Sequence, residues 1–191
     1  MARQLWLLRH ADAEPHGTRP DAERRLTEKG ERQARAAGAA IALMGVEFEA
    51  LLCSPKERAL RTATLAARAW SEDRSRETLA GREHSRLGQN ERLQIHPPLA
   101  ESFDARQALA ALAQSLPTRE LARGERLLLV GHEPDLSTVV AELTGARIDL
   151  KKGGLAVVRI EGPAGELVAL LRPSELALIA QGRVAVAGPV P

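Results

Sequence analysis

The sequence contains one cysteine and no long apolar run, and each shortage excludes a class of protein. Cys53 is the only cysteine among 191 residues, which excludes an internal disulfide framework and a multi-cysteine zinc site. Because Cys53 lies in an apolar run, we expect it to be a buried packing residue. No apolar stretch approaches the ~20 residues that a membrane-spanning helix needs. The first residues also lack the pattern of a secretory signal, so we predict a cytoplasmic protein without membrane contact.

Charge and composition set only general limits. The net charge is +2 at pH 7, which gives no reason to expect a nucleic-acid partner. Only four of the 27 basic residues are lysine, so a single arginine in a motif is a weak indication of function. The length suits one domain, which we predict over residues 1–182, followed by a flexible tail over 183–191. The oligomeric state is not indicated.

Three predicted strands each end in basic side chains close to the start of a helix. The strands cover residues 5–8, 48–53 and 127–130. The basic side chains at their ends are Arg9 and His10, Arg58, and His132. In an open α/β sheet, ligands bind beyond the carboxyl ends of the strands. We therefore expect these four side chains to meet at one edge of a parallel sheet.

Together, the four side chains suit a phosphate group. Arg9 and Arg58 supply planar donors of fixed charge that match phosphate oxygens, and helix N-termini add backbone N–H groups. A histidine with one free ring nitrogen is a nucleophile toward phosphorus. We therefore predict a phosphate site that requires no metal and no other cofactor.

The remaining pattern predicts a three-layer α/β/α fold with helices on both faces of a mostly parallel sheet. Apolar residues recur at helical spacing after Thr27, Pro55, Asp104, Pro134 and Pro173. Two further strand signals, 155–160 and 167–171, predict a late antiparallel hairpin. Residues 71–92 are rich in charge, and we predict a polar excursion there, either a solvated loop or a cover over the substrate.

Four motifs in order resemble those of the histidine phosphatase superfamily, which has the phosphoglycerate-mutase-like fold. Ala11 stands where the family has glycine after Arg-His, and Arg61 stands where it has glutamine. The matching residues are Leu8-Arg9-His10; Leu26-Thr27, Gly30 and Gln33-Ala34; Ser54-Pro55, Arg58-Ala59 and Thr62; and Val130-Gly131-His132 with Pro134. The resemblance covers residues 4–172 and implies this fold and a phosphatase activity.

Within the superfamily, the chain is most similar to bacterial phosphohistidine phosphatases of the SixA type. This similarity rests on the short length and on three local patterns: Asp21 before Arg24, Leu150-Lys151-Lys152-Gly153, and Leu171-Arg172-Pro173. The resemblance implies that His10 attacks phosphorus and carries the phosphoryl group. It implies that Arg9, Arg58 and His132 hold the phosphate oxygens until water hydrolyses the phosphohistidine. The 71–92 stretch is longer than this type usually has.

The proton donor is the least defined part of the predicted site. Many superfamily enzymes place an acidic residue between the Arg58 motif and the second histidine, and Leu99-Ala100-Glu101 resembles that form. Asp104 lies nearby but also suits a helix cap, because Gln107 follows it three residues later. If the leaving group is an imidazole, the need for an acid is small. Glu101, Asp104 and no acid at all therefore stay open.

Three functions remain open from the sequence. The first is dephosphorylation of phosphohistidine on a protein such as a phosphotransfer domain. The second is a small-molecule phosphomonoesterase with the same His10 chemistry, which an essential Glu101 would favour. The third is a non-catalytic module that binds phosphorylated partners, although the four intact site residues speak against it. A mutase is less expected, because it must shield its phosphohistidine from water and the chain has little length for a lid.

Overall fold

The structure is a computed structural model, and it describes residues 3–78, 93–115 and 125–182. The strands in these ranges are β1 (Arg3–Arg9), β2 (Ala50–Cys53), β3 (Leu93–Ile95), β4 (Arg126–Gly131), β5 (Leu155–Glu161) and β6 (Ala164–Leu171). The helices are α1 (Glu28–Leu43), α2 (Glu57–Thr78), α3 (Ala105–Ser115), α4 (Asp135–Thr144) and α5 (Pro173–Ala180). Two short 3-10 turns cover Asp21–Glu23 and Pro97–Ala100.

The six strands form one mixed sheet in the order β3-β2-β4-β1-β5-β6. The first four strands in that order run parallel, whereas β5 pairs antiparallel with both β1 and β6. In the parallel part, Arg9 lies opposite Gly131, and Cys53 lies opposite Val130. The carboxyl ends of β1, β2 and β4 therefore lie side by side, as predicted, and the late hairpin is confirmed.

The central strands are buried on both faces, which explains their uninterrupted apolar runs. Successive side chains of a strand point to opposite faces of the sheet. Trp6 and Leu8 accordingly pack in one core cluster with α1, α2 and α5. Leu5 and Leu7 pack in the other cluster with α3 and α4. The predicted three-layer arrangement is thus confirmed.

Helix α2 is longer than the sequence pattern suggested. The prediction that a polar excursion begins at residue 71 is wrong for its first part, because α2 continues to Thr78. Trp70 anchors this helix. The centroid of its buried ring lies 5.7 Å from that of Phe48, and its Nε1 donates a hydrogen bond to the Val46 carbonyl at 3.0 Å. No glycine or proline interrupts residues 71–78, so this charged stretch contains no residue type that ends a helix. Residues 79–92 and the predicted tail over 183–191 lie outside the described residues.

The predicted helix ends are mostly confirmed by capping contacts. The Thr27 hydroxyl accepts a hydrogen bond from the Gly30 amide at 3.1 Å. Asp104 and Gln107 form a reciprocal capping box, with hydrogen bonds of 3.0 and 2.8 Å.

Strand β2 begins at Ala50, two residues after the predicted start.

Two predictions about apolar segments can be compared with the structure. Cys53 is buried in the core, as predicted, and burial raises the pKa of its thiol to about 11. Among the described residues, no helix combines the length and the apolar character needed to cross a bilayer.

Candidate active site

A cavity of about 430 Å³ lies at the carboxyl edge of β1, β2 and β4. All four basic side chains predicted to meet there line it: Arg9, His10, Arg58 and His132. Glu101 also lines the cavity, whereas Asp104 is not among the lining residues and serves as the α3 cap. The sheet topology thus gathers residues that are up to 123 positions apart.

His10 is held with one ring nitrogen unprotonated. Its Nδ1 lies 2.8 Å from the Ala11 carbonyl oxygen, which can only accept a hydrogen bond. Its Nε2 receives a hydrogen bond from Arg58 Nε at 3.3 Å, and a guanidinium can only donate. Both contacts require the same neutral tautomer, with the proton on Nδ1 and a lone pair on Nε2.

The surroundings of His10 keep it uncharged. The side chain is buried, and burial is the main reason that its pKa falls to about 3. The Ala11 carbonyl opposes this shift, while the positive charges of Arg58, Arg9 and Lys152 add to it. A neutral imidazole at physiological pH is the form that can attack phosphorus.

Arg9 is positioned by the turn that precedes β5. Its Nη1 donates to the Leu150 carbonyl at 2.7 Å. The Gly153 amide closes this turn onto the strand end, since it donates to the carbonyls of Arg9 and His10 at 3.2 and 3.1 Å. Gly153 has φ +73°, a conformation that favours glycine. Arg9 Nε is buried and has no hydrogen-bond partner among the described residues.

Arg58 connects His10 to the 3-10 turn at Asp21–Glu23. Its Nη1 donates to the Asp21 carbonyl at 2.6 Å, and its Nη2 donates to Asp21 Oδ2 at 3.2 Å. Because a guanidinium has five N–H donors, these two contacts and the one to His10 leave further donors for a phosphate.

The Asp21 carboxylate pairs with three cations on the cavity wall, and a net positive charge remains among the four groups. Lys56 Nζ lies 2.9 Å from Oδ2, Arg24 Nη2 lies 2.8 Å from Oδ1, and Arg58 completes the group. The hydrogen bond from Lys56 is the largest cause of an Asp21 pKa well below its usual range, and those from Arg24 and Arg58 add to it. Asp21 is therefore ionised whenever the protein is folded near neutral pH.

His132 lies beside His10, with the two ring centroids 5.1 Å apart. Its Nε2 shares a hydrogen bond of 2.8 Å with Ser54 Oγ, at the end of β2. Its Nδ1 is buried without a partner among the described residues. Burial, followed by the nearby His10 and the charge of Arg58, lowers the pKa of His132 to about 3.

This arrangement can bind and attack a phosphoryl group. It combines a neutral imidazole nucleophile, two guanidinium groups and a second imidazole with a free nitrogen around one cavity. Residues 5–169 also match the family model of the histidine phosphatase superfamily, branch 1. The chain belongs to the histidine phosphatase superfamily.

Individual proteins are similar to this chain over most of its length. A protein of Picosynechococcus sp. without an assigned function is 29% identical over 161 residues, which cover 82% of this chain and 84% of that protein. Among solved structures, the protein histidine phosphatase SixA complexed with tungstate has a TM-score of 0.68 at 23% identity. That likeness covers 91% of this chain and 99% of the SixA chain.

Two further structures extend the comparison. A protein from Agrobacterium tumefaciens, assigned as phosphohistidine phosphatase SixA, has a TM-score of 0.65 at 19% identity and covers 91% of this chain and 99% of its own. A protein from Escherichia coli, assigned as an α-ribazole-5′-P phosphatase, has a TM-score of 0.56 at 23% identity, with coverages of 91% and 98%. At these identities the structures show the shared fold, and family membership supports a phosphatase activity for this chain.

The histidine phosphatase motifs are also linked by a residue whose role the sequence did not reveal. Thr62 Oγ1 accepts a hydrogen bond from the Ala11 amide at 3.1 Å and donates to the Arg58 carbonyl at 2.6 Å. One buried hydroxyl thus ties the loop after His10 to the first turn of α2. The only indication of this role in the sequence was that Thr62 belongs to the motif that contains Arg58.

Several charged residues of this histidine phosphatase site were not predicted as part of it. Lys56, Lys152, Glu133 and Asp135 all line the cavity. Lys152 is held by Asp12, with Nζ 3.3 Å from Oδ1. Glu133 and Asp135 flank Pro134 and directly follow His132. This closeness to the second histidine was the only indication in the sequence that they belong to the site.

Proposed function

We propose that this histidine phosphatase hydrolyses phosphohistidine on a protein, such as a phosphotransfer domain, through a phosphoryl intermediate on His10. The observation that carries the proposal is the state of His10 Nε2. This atom bears a lone pair, lies in the cavity and contacts a phosphate-binding arginine. Because this lone pair accepts a hydrogen bond from Arg58 Nε at 3.3 Å, the contact opens as the N–P bond forms, but no proton has to leave the imidazole first.

The proposed phosphate ligands each have an unused hydrogen-bonding group. Arg9 Nε and His132 Nδ1 are buried without partners among the described residues. Arg58 has N–H donors beyond those used by Asp21 and His10. Groups of this kind, already oriented before the substrate arrives, stabilise the charge that develops on the oxygens in the transition state.

The proposed reaction has two steps. In the first, the His10 Nε2 lone pair forms a bond to phosphorus while the bond from phosphorus to the leaving atom breaks. In the second, a water oxygen bonds to phosphorus and the electron pair of the N–P bond returns to Nε2. The proton that this water loses to solvent balances the proton that the leaving atom takes up in the first step. Two permanent cations, Arg9 and Arg58, offset the dianionic charge of the phosphoryl group in both steps. The scheme requires no metal.

Two considerations support a protein phosphohistidine as the substrate. Three of the similar solved structures, with TM-scores of 0.64–0.68, are SixA proteins, although a mycobacterial hydrolase also has 0.64 and a phosphoserine phosphatase has 0.60. In addition, an imidazole leaves more readily than an alkoxide, so the reaction depends less on a general acid.

A small phosphate ester is the second candidate substrate. The observation that favours it is the set of carboxyl groups on the cavity wall, which includes the predicted acid Glu101. A leaving alkoxide needs a proton donor, and a carboxyl group near the leaving oxygen supplies one.

The first experiment measures phosphate release from a histidine-phosphorylated phosphotransfer domain and from p-nitrophenyl phosphate. The wild-type protein is compared with His10→Ala and Glu101→Gln. We expect His10→Ala to lose several orders of magnitude of activity on both substrates, as the loss of a nucleophile predicts. Acid quenching of the wild-type reaction should trap a phosphoryl group on His10.

The outcomes separate the candidate functions. If Glu101→Gln still releases phosphate from the histidine-phosphorylated protein, the result supports the protein phosphatase. Activity on the ester alone, lost with Glu101, supports the small-molecule phosphomonoesterase. If neither substrate releases phosphate but inorganic phosphate still binds, the chain is a phosphate-binding module and the proposal is wrong.

A further inference from the structure

Two lysines line the cavity, and they follow different parts of the sheet edge. Lys56 comes directly after β2, and its Nζ is one of the three cations that pair with Asp21. Lys152 lies in the turn before β5, with its Nζ 3.3 Å from Asp12 Oδ1. In the sheet order β2-β4-β1-β5, the strands that carry the two histidines lie between these lysines. The proposed reaction has so far given no role to Lys152.

The turn that carries Lys152 is fastened to the end of β1. Strand β5 pairs antiparallel with β1, so the start of β5 lies beside the carboxyl end of β1. The Gly153 amide donates to the Arg9 and His10 carbonyls at 3.2 and 3.1 Å. In return, the Arg9 amide donates to the Gly154 carbonyl at 3.1 Å. These bonds place Lys152 next to the strand end that supplies the predicted nucleophile.

Asp12 holds the Lys152 ammonium group and is itself held by helix α1. Its Oδ2 accepts a hydrogen bond from Thr27 Oγ1 at 2.8 Å, while its Oδ1 faces Lys152 Nζ. The Asp12 amide donates to Gln33 Oε1 at 2.9 Å. The start of α1 packs so closely here that a Cβ atom at Gly30 would lie 1.9 Å from the Asp12 carbonyl oxygen. Asp12 is not among the residues that line the cavity, whereas Lys152 is, so the pair points its cation toward the cavity.

The charge of Lys152 reaches the nucleophile. Burial is the main cause of the low pKa of His10, and the charges of Arg58, Arg9 and Lys152 add to it. Two of these three cations are the proposed phosphate ligands. An ammonium group has three N–H donors, so the contact with Asp12 leaves two of them for other acceptors. The Lys152 side chain is 41% exposed, which leaves these donors accessible to a ligand.

We propose that Lys152 is a third cationic ligand of the phosphoryl group, beside Arg9 and Arg58. The inference rests on the proposed function, since it takes the phosphoryl group that His10 attacks as the ligand. An ammonium group is a point charge with rotatable donors, whereas a guanidinium donates in one plane. Lys152 can therefore follow the phosphoryl oxygens as phosphorus moves from the leaving atom to His10 Nε2, while it keeps its contact with Asp12.

The test is the affinity for inorganic phosphate, measured by calorimetry and by competition with p-nitrophenyl phosphate. Lys152→Met should weaken phosphate binding about 10-fold, as the loss of one charge-assisted hydrogen bond predicts. The loss should appear in KM more than in kcat, because the charge of the phosphoryl group is present before the reaction begins. Lys152→Arg keeps a cation and should recover most of the affinity.

Lys151→Met is the matched control, because it removes the same charge from the neighbouring residue. Lys151 is exposed, pairs with Asp149 and is not among the residues that line the cavity. Its variant should bind phosphate within a few-fold of wild type. Added salt should narrow the gap between wild type and Lys152→Met, since salt screens a partly exposed charge. Lys152→Gln, a second neutral variant, should reproduce the loss if the methionine variant folds poorly.

Three results would overturn the assignment. Unchanged phosphate affinity in both neutral variants would exclude contact with the phosphoryl group. If their kcat/KM then fell only on the histidine-phosphorylated protein, Lys152 would contact the partner protein instead. Equal losses in Lys152→Met and Lys151→Met would indicate a general effect of surface charge.

A loss that Lys152→Arg does not recover, together with a lowered melting temperature, would indicate a structural role for Lys152 and also contradict the proposal. Failure of the proposed function looks different, because phosphate binding is measured without turnover. In that case wild type would bind phosphate with the expected dependence on Lys152 but would form no phosphorylated His10 from any substrate.

Discussion

Arg58 Nε donates a hydrogen bond to His10 Nε2 over 3.3 Å, so the predicted phosphate ligand also orients the predicted nucleophile. The same guanidinium is held on its other side by the carbonyl and the carboxylate of Asp21. Three directed contacts from one planar group define its position and its tilt. The site therefore depends on the shape of arginine as well as on its charge.

Replacing Arg58 with lysine should reduce activity about 100-fold even though the charge is kept. An ammonium group cannot reach His10 Nε2 and both Asp21 oxygens at once, and it cannot bind phosphate through two parallel N–H groups. Steady-state kinetics on p-nitrophenyl phosphate check this prediction. Arg61→Lys is the matched control: Arg61 lies one turn along α2 and pairs with Glu31, so its variant should stay within a few-fold of wild type. Equal effects from both variants would contradict the role given to Arg58.

Thr62→Val should destabilise the protein by about 1–3 kcal/mol, because it leaves the buried Ala11 amide without an acceptor. It should also lower the turnover rate, since the loop after His10 loses its tie to Arg58. Thr64→Val in the same helix is the control, because in the described part of the chain the Thr64 hydroxyl bonds only the Leu60 carbonyl, within its own helix. Thermal unfolding and kinetics of the two variants should therefore differ clearly. Similar melting temperatures would argue against the bridging role.

His10→Asn should change how stability depends on pH. In wild type, burial holds the pKa of His10 at about 3, whereas an unfolded histidine titrates near 6.5. Below pH 6.5 the unfolded chain therefore binds more protons, and stability falls as the pH falls toward 3. The slope is at most about 1.4 kcal/mol per pH unit for each such group.

The measurement for His10→Asn is the melting temperature at several values between pH 4 and pH 8. Removing His10 should make the pH dependence shallower over this range, while His132 keeps contributing with the same sign because its pKa is also about 3. Parallel curves for wild type and variant would mean that His10 is not buried as a neutral base. His132→Asn should produce a similar change.

Asp21→Asn should show the opposite pH behaviour. The hydrogen bond from Lys56 and those from Arg24 and Arg58 hold the Asp21 pKa below its unfolded value near 3.9. Its carboxylate therefore stabilises the fold fully above about pH 4, and this contribution is lost as the pH falls through the folded pKa. The variant should melt below wild type at pH 7, and the gap should narrow below pH 4. A gap that stays constant down to pH 2 would contradict the ion-pair assignment.

The sequence predictions succeeded where the relevant pattern was local to one strand and the residues directly after it. The apolar runs of β1 and β4 show that both strands are buried, and the polar residues after them show where each strand ends. Since parallel strands end on one edge, His10, Arg58 and His132 could be placed together before any coordinates were known. The polar pattern from residue 71 misled because charge alone does not end a helix: α2 continues while Trp70 anchors it.

The sequence by itself determined the layer order, the edge of the sheet that holds the site and the four basic residues that meet there, because these follow from local apolar patterns and motif order. Only the tertiary structure decided the protonation of His10, since its partner Arg58 lies 48 residues away. The same holds for the ion pair between Lys56 and Asp21, which are 35 residues apart, and for the burial of the Glu133 carboxyl group. Hydrogen bonds and desolvation depend on which distant groups are brought into contact, and no local pattern records that.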